Sequence, residues 1–230
     1  MRKKYKAFLQ RQRKIVAYII DIFVNLVLIL GLVLIIRTYL ISPFQVYGKS
    51  MCDTFNFTDG KCSQSFGEYI IVNKLGYQNL LGWQIGLPKR GDIIVFHPPN
   101  NDKDFFIKRV IGLPGETVKL IDGHVFLFNE EHPEGIQLQE EYLNDKNADK
   151  TLTMGGPDVF TIPEDQYLAF GDNRMASSDA RSCFKDSVSS GKCGEGENTP
   201  YLTLDHIDGK AMIILWPLDK IGLVNHPDYE

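Results

Sequence analysis

Residues 15–36 read IVAYIIDIFVNLVLILGLVLII, and no other stretch of this chain limits its architecture so strongly. As a helix rising about 1.5 Å per residue the segment is roughly 33 Å long, enough to cross a hydrocarbon layer about 30 Å thick. Asp21 and Asn25 interrupt it. Asp21 lies toward the N-terminal end, where it is expected to be protonated, to reach the interface or to meet a partner helix. Residues 1–14 carry seven Lys or Arg and no acid, and only Arg37 closely follows the apolar run. The positive-inside bias then assigns 1–14 to the cytoplasm, 15–36 to the membrane and 37–230 to the outer side. The expected location is thus the cell membrane, crossed once. A basic tail for nucleic acid is the other reading of residues 1–14, but the apolar run directly behind them favours lipid, and no nucleic-acid partner is expected. An uncleaved anchor is expected in place of a removed signal peptide, because the run is too long for a typical apolar core and no clear small-x-small site follows.

Beyond residue 14 the chain has 18 basic against 29 acidic residues, so the net charge of −4 hides an acidic outer part. Short β-branched and aromatic runs fill it: 68–73, 92–96, 105–111, 117–121, 125–128, 167–170 and 210–215, each bounded by Gly, Pro or Asp. Asp122-Gly123 between two of them signals a type I′ hairpin. No long amphipathic helix is visible after residue 40. The expected class is mainly β: an N-terminal transmembrane helix, then an antiparallel sheet carrying a small inserted cap at about 116–165. Residues 129–158 are polar and acidic, and 185–200 read as a flexible loop. Cys52, Cys62, Cys183 and Cys193 all fall in the outer part. Four cysteines permit three pairings, and the sequence does not choose among them. Neighbour pairing, 52 with 62 and 183 with 193, is expected in an oxidising compartment, with free thiols as the alternative. The close CxxC spacing of structural zinc is absent, and no metal or cofactor is expected.

Three clusters could carry chemistry. Ser50 sits in FQVYGKSMCDTF (44–55), just beyond the apolar run. A serine near glycine is ordinarily a turn residue, and its hydroxyl needs a base to become a nucleophile. None of the five histidines stands in a recognisable triad motif. Lys108 interrupts the apolar strand FFIKRVI. A charge there reads either as a gatekeeper on an edge strand or as an amine whose burial frees it of its proton. The third cluster is Gly171-Asp172-Asn173-Arg174 with Ser177, Asp179 and Arg181, which in isolation is a polar turn with an ion pair.

Taken in order, the anchor, GxSM, RGDIIVF, KRVIGLPGE and GDNRxxSxDxR resemble the bacterial type I signal peptidases over residues 1–220. The resemblance implies a serine endopeptidase acting on preproteins with signal peptides, at the lipid bilayer and in possible contact with the secretion machinery. It implies Ser50 as nucleophile, Lys108 as general base and Ser177 as the hydroxyl orienting the lysine amine. Asp179 and Arg181 correspond to a supporting ion pair. Gly48 stands where some members have a serine that donates to the oxyanion, so the Ser50 N–H is the expected donor here. Phe44, Val46, Tyr47, Met51, Phe106 and Ile107 correspond to substrate-pocket positions, whose apolar walls fit small residues at P1 and P3. The chain departs from the family at Asp53, usually Pro, at Ala180, commonly Ser, and in an insertion carrying Cys62.

Overall fold

The computed structural model describes residues 2–58, 60–75, 77, 86–184, 193, 198–227 and 229. Most of the expected 185–200 loop lies outside them. The chain divides into two units, Met1–Leu40 and Ile41–Glu230. The first is a single helix, α1 (Arg2–Tyr39), whose segment Arg11–Tyr39 is long and apolar enough to cross a membrane. Asn25 satisfies its amide within the helix, donating through Nδ2 to the Asp21 carbonyl at 2.8 Å.

The second unit is antiparallel β throughout. Its described strands are β1 (Ile41–Tyr47), β2 (Phe57–Thr58), β3 (Lys61–Cys62), β4 (Phe66–Asn73), β5 (Ile93–Phe96), β6 (Phe106–Gly112) and β7 (Thr117–Ile121). There follow β8 (His124–Phe128), β9 (Ile136–Gln137), β10 (Val159–Thr161), β11 (Gln166–Phe170), β12 (Tyr201–Thr203), β13 (Ile207–Trp216) and β14 (Gly222–Leu223). The main sheet runs β1-β4-β13-β5-β6-β11-β12, with β14 also on β13. Between β6 and β11 the chain leaves to build a second sheet, β10-β7-β8-β9, referred to below as the cap. Asp122 and Gly123 join β7 to β8 with φ of 49° and 85°, the paired positive values of a I′ turn. Strand β1 escaped the sequence reading. Pro43 and inward-facing Ser42 disguise it, yet Pro43 is tolerated because β1 is a sheet edge and a missing N–H costs no ladder bond there.

β5 is apolar at every position because the sheet is covered on both faces. Ile94 and Phe96 enter a cluster with Val110, Val118, Phe160 and Phe170, while Ile93 and Val95 enter another with Met51, Phe55 and Ile70. Period-two alternation therefore sends adjacent residues into separate cores. β6 lies between β5 and β11, so Lys108 is on an interior strand and is no edge gatekeeper. Cys52 is joined to Cys62, and Cys183 to Cys193.

Candidate active site

β1 ends at Tyr47, and Gly48 takes φ of 84° to turn the chain out of the sheet. The segment 49–55 then winds into compact turns, with Cys52 N–H donating to Lys49 O at 3.1 Å and Phe55 N–H to Met51 O at 2.8 Å. Ser50 stands in the first of these turns. Lys108 reaches it from the middle of β6: its Nζ donates to Ser50 Oγ at 2.9 Å and to Ile107 O at 2.8 Å. The lysine is 3% exposed. Burial strips water from the ammonium and moves its pKa down to about 8; Asp179 and Asp172 pull it upward, and Arg181 pushes it down again. A serine hydroxyl next to an amine so easily freed of its proton is an arrangement that can generate an alkoxide-like nucleophile. The Ser50 N–H has no acceptor among the described residues, which leaves it available to an oxyanion.

The turn after β11 supports the pair. Asn173 donates its N–H to Ser50 O at 3.0 Å and its Nδ2 to Lys49 O at 2.9 Å, fixing the serine's backbone. Gly171 packs so closely that a Cβ there would overlap the Ser177 hydroxyl and the Ser50 carbonyl. Asp179 accepts from Arg181 through Nε at 2.9 Å and Nη2 at 2.7 Å, and from the Gly171 N–H at 2.9 Å. Those donors hold its carboxyl below the usual range despite burial. Asp172 receives a second fork, from Arg109, at 2.9 and 2.7 Å. Arg174 makes a third with Glu140 of the cap. The arginines and Asp172 and Asp179 are essentially inaccessible, so each charge depends on its partner. Asp53 accepts from the cap residues Asn144 and Asn147, and partial burial raises its pKa.

A cavity of about 510 Å³ opens beside Ser50 and Lys108. Phe44, Val46, Tyr47, Phe106 and Ile107 line it, together with Gly48. One expectation needs correction. Met51 does not line the cavity; it is 1% exposed and fills the core with Val46, Phe55 and Ile70. Ser177 is buried nearby, and its Oγ makes no hydrogen bond among the described residues. Arg109, Gly171, Asp172, Asn173 and Arg174 were legible only as members of motifs, and Gln64 and Ile70 of the cavity wall were missed. One signal was present: Arg109 follows Lys108 in an apolar strand, so the two cations must point to opposite faces and each needs its own burial arrangement.

An antiparallel β unit with a serine–lysine contact at an apolar cleft is the architecture of a hydrolase working by acyl transfer. Residues 19–216 match the family described as Signal peptidase, peptidase S26. Signal peptidase I of Leptolyngbya laminosa is 30% identical over 88% of this chain and 80% of its own. Signal peptidase I P of Bacillus subtilis subsp. natto is 35% identical over 71% and 78%. A crystal structure of a signal peptidase I from Enterococcus faecalis V583 shares 31% identity, covering 55% of this chain and 97% of that one at a TM-score of 0.39. The chain belongs to the signal peptidase, peptidase S26 family. It is a peptidase that removes signal peptides, and its substrates are preproteins that carry them.

Proposed function

We propose that the chain is a membrane-anchored serine endopeptidase using Ser50 and Lys108 as a dyad, and that it cleaves after small residues at P1 and P3. The observation that carries the reading is the 2.9 Å contact between Ser50 Oγ and the Nζ of the buried Lys108. In the neutral state the amine lone pair accepts the Ser50 proton while an N–H stays on Ile107 O. Ser50 Oγ attacks the scissile carbonyl, and the Ser50 N–H receives the oxyanion. Lys108 then returns the proton to the leaving amine. Water deprotonated by the same lysine attacks the acyl-enzyme and releases the signal peptide from Ser50. Ser177 is assigned to orienting the amine, its buried hydroxyl having no other partner. Phe44, Val46, Tyr47, Phe106 and Ile107 give the cleft the apolar walls that suit alanine-sized side chains.

Residues 15–36 are assigned to the membrane, 1–14 to the cytoplasm and 37–230 to a catalytic domain outside, with the cap at about 116–165. Anchoring keeps the site where substrates emerge and lowers the entropic cost of encounter. Exposed Trp216, Leu218, Ile221 and Leu223 on β13, β14 and the turn between them support the bilayer as a partner. Contact with the secretion machinery follows from the same placement. Incubating the purified full chain with a detergent-solubilised preprotein, then sequencing the new N-terminus, tests the reading. Cleavage after an Ala-x-Ala segment is expected; cleavage elsewhere, or full activity in Ser50→Ala, overturns it.

A further inference from the structure

We infer that Asp53, Asn144 and Asn147 form a clasp through which the cap positions the catalytic serine, an inference resting on the assignment of Ser50 as nucleophile. Asp53 is three residues from Ser50 and has φ of 136°, a conformation that residues with side chains rarely adopt. Such a backbone persists only where its surroundings hold it. The holders come from the cap, at sequence separations of 91 and 94. The Asn144 N–H donates to Asp53 Oδ2 at 3.1 Å, the Asn144 Nδ2 to Oδ1, and the Asn147 Nδ2 to Oδ2 at 3.0 Å. Asn147 is 3% exposed and uses the other end of its amide as well: its Oδ1 accepts from the Met175 N–H at 3.3 Å. One cap side chain therefore joins the turn carrying Ser50 to the turn leading to Ser177.

The other ties on the serine turn, among them the Cys52–Cys62 bridge, come from outside the cap. Asn173 holds Lys49 O and Ser50 O, and Asp172 accepts from Thr54 Oγ1. Those fix the beginning and end of the turn, and the clasp holds its middle beside the Cys52–Cys62 bridge. Asp53, Asn144 and Asn147 are positioning residues, since none of them lines the cleft that holds Ser50 and Lys108.

The donor pattern allows a test by exchange. Asn144 Oδ1 accepts from the Lys146 N–H at 2.9 Å, so its amide cannot flip without setting two donors face to face. In Asp53→Asn the new amide nitrogen meets the Asn144 amide nitrogen, and in Asn144→Asp two carboxylates meet. In the double exchange, Asp53→Asn with Asn144→Asp, every bond is restored. The new amide oxygen at position 53 accepts from the backbone N–H at position 144 and from Asn147. The new amide nitrogen donates to the carboxylate now at position 144, and that carboxylate still accepts from the Lys146 N–H. The full-length chain in detergent would be assayed with a preprotein, separating kcat from KM, and melting curves would confirm folding at the assay temperature. Asn144→Asp is expected to lower kcat by about tenfold or more with KM within about twofold, as a small misplacement of a reacting group does. The exchange is expected to return kcat to within about threefold of the parent, a coupling that independent sites do not show. Parental kcat in folded Asn144→Asp, or no recovery in the exchange, overturns the clasp. A Ser50→Ala control that remains active overturns the nucleophile assignment instead, so the two failures are told apart.

Discussion

Replacing Lys108 by arginine keeps the charge and most of the stem yet removes the one property on which the proposed chemistry depends. Burial takes the amine from its ordinary 10.5 to about 8. At pH 7 about 9% of such an amine is neutral against about 0.03% of an ordinary lysine, a gain of about 300-fold in competent enzyme. A guanidinium in the same place stays protonated throughout the accessible pH range. Lys108→Arg should therefore lose at least about 10² in kcat/KM, the usual span of a general base. The parent's kcat/KM should rise about tenfold per pH unit up to about pH 8 and then level. Stability carries the same signature. The folded pKa lies below the unfolded one, so between about pH 8 and 10.5 the unfolded chain binds the extra proton and stability climbs with pH. Below that window both states are charged, and the folded protein bears a constant cost of about 3 kcal/mol. Melting curves of the parent and of Lys108→Met across pH 7–11 should differ by that slope, which the variant lacks. Near-parental activity in Lys108→Arg, with a flat pH profile, would refute the base assignment.

Phe at P1 of a cleaved preprotein should abolish processing while leaving its membrane insertion intact, as the proposed preference for small P1 residues requires; gel assays of cleavage and membrane fractionation check both, and equal cleavage of Ala and Phe substrates defeats the pocket assignment. Gly171→Ala should lower kcat by about 10², since its Cβ would displace Ser177 and the Ser50 carbonyl; a chain that folds and keeps full kcat would show that the close approach is unimportant. Removing the Cys52–Cys62 bridge, which spans a sequence separation of 10, should cost about 2–3 kcal/mol by loop-closure entropy, read as a lower melting temperature; an unchanged melt after Cys52→Ser with Cys62→Ser would sink that account.

The sequence carried the apolar helix and the longer strands because each is written in a local period. β6 and β13 carry short β-branched and aromatic stretches, and residues 15–36 of α1 have only two polar interruptions. The two-residue strands β9 and β14 have no period to detect and exist because a neighbour offers a ladder. The serine–lysine pairing was legible from motif order, not from either residue alone. The supporting charges were not: Arg109, Asp172 and Arg174 are polar letters in a turn or strand, and nothing local says that they are inaccessible. Asp53 is the clearest case. Its neighbours in sequence gave no hint of Asn144 and Asn147, since a contact made by long-range closure leaves no trace in a short window of sequence. Met51 failed for a related reason, as an apolar residue beside a nucleophile can face either the cleft or the core, and packing with Phe55 and Ile70 decided it.

The buried ion pairs explain how a lysine can serve as base in a site so rich in acids. Asp179 and Asp172 both stabilise the ammonium form of Lys108, and either acting unopposed would hold its pKa higher. Each is instead held in the two-pronged grip of its own arginine, Arg181 or Arg109. The forks satisfy the carboxylate oxygens and supply a positive charge alongside, which at Arg181 opposes the pull on the lysine directly. Desolvation remains the largest influence on the amine, and its pKa falls. The arginines therefore act on the chemistry without touching the substrate. They also account for part of the composition of the GDNRxxSxDxR segment, which supplies Asp179 to hold the backbone of Gly171, Asp172 to hold the side chain of Thr54, and Arg181 to oppose those acids as seen from Lys108. A lone aspartate at position 179 would perform the structural task and push the amine's pKa upward; Asp179 and Arg181 together perform the first and restrain the second.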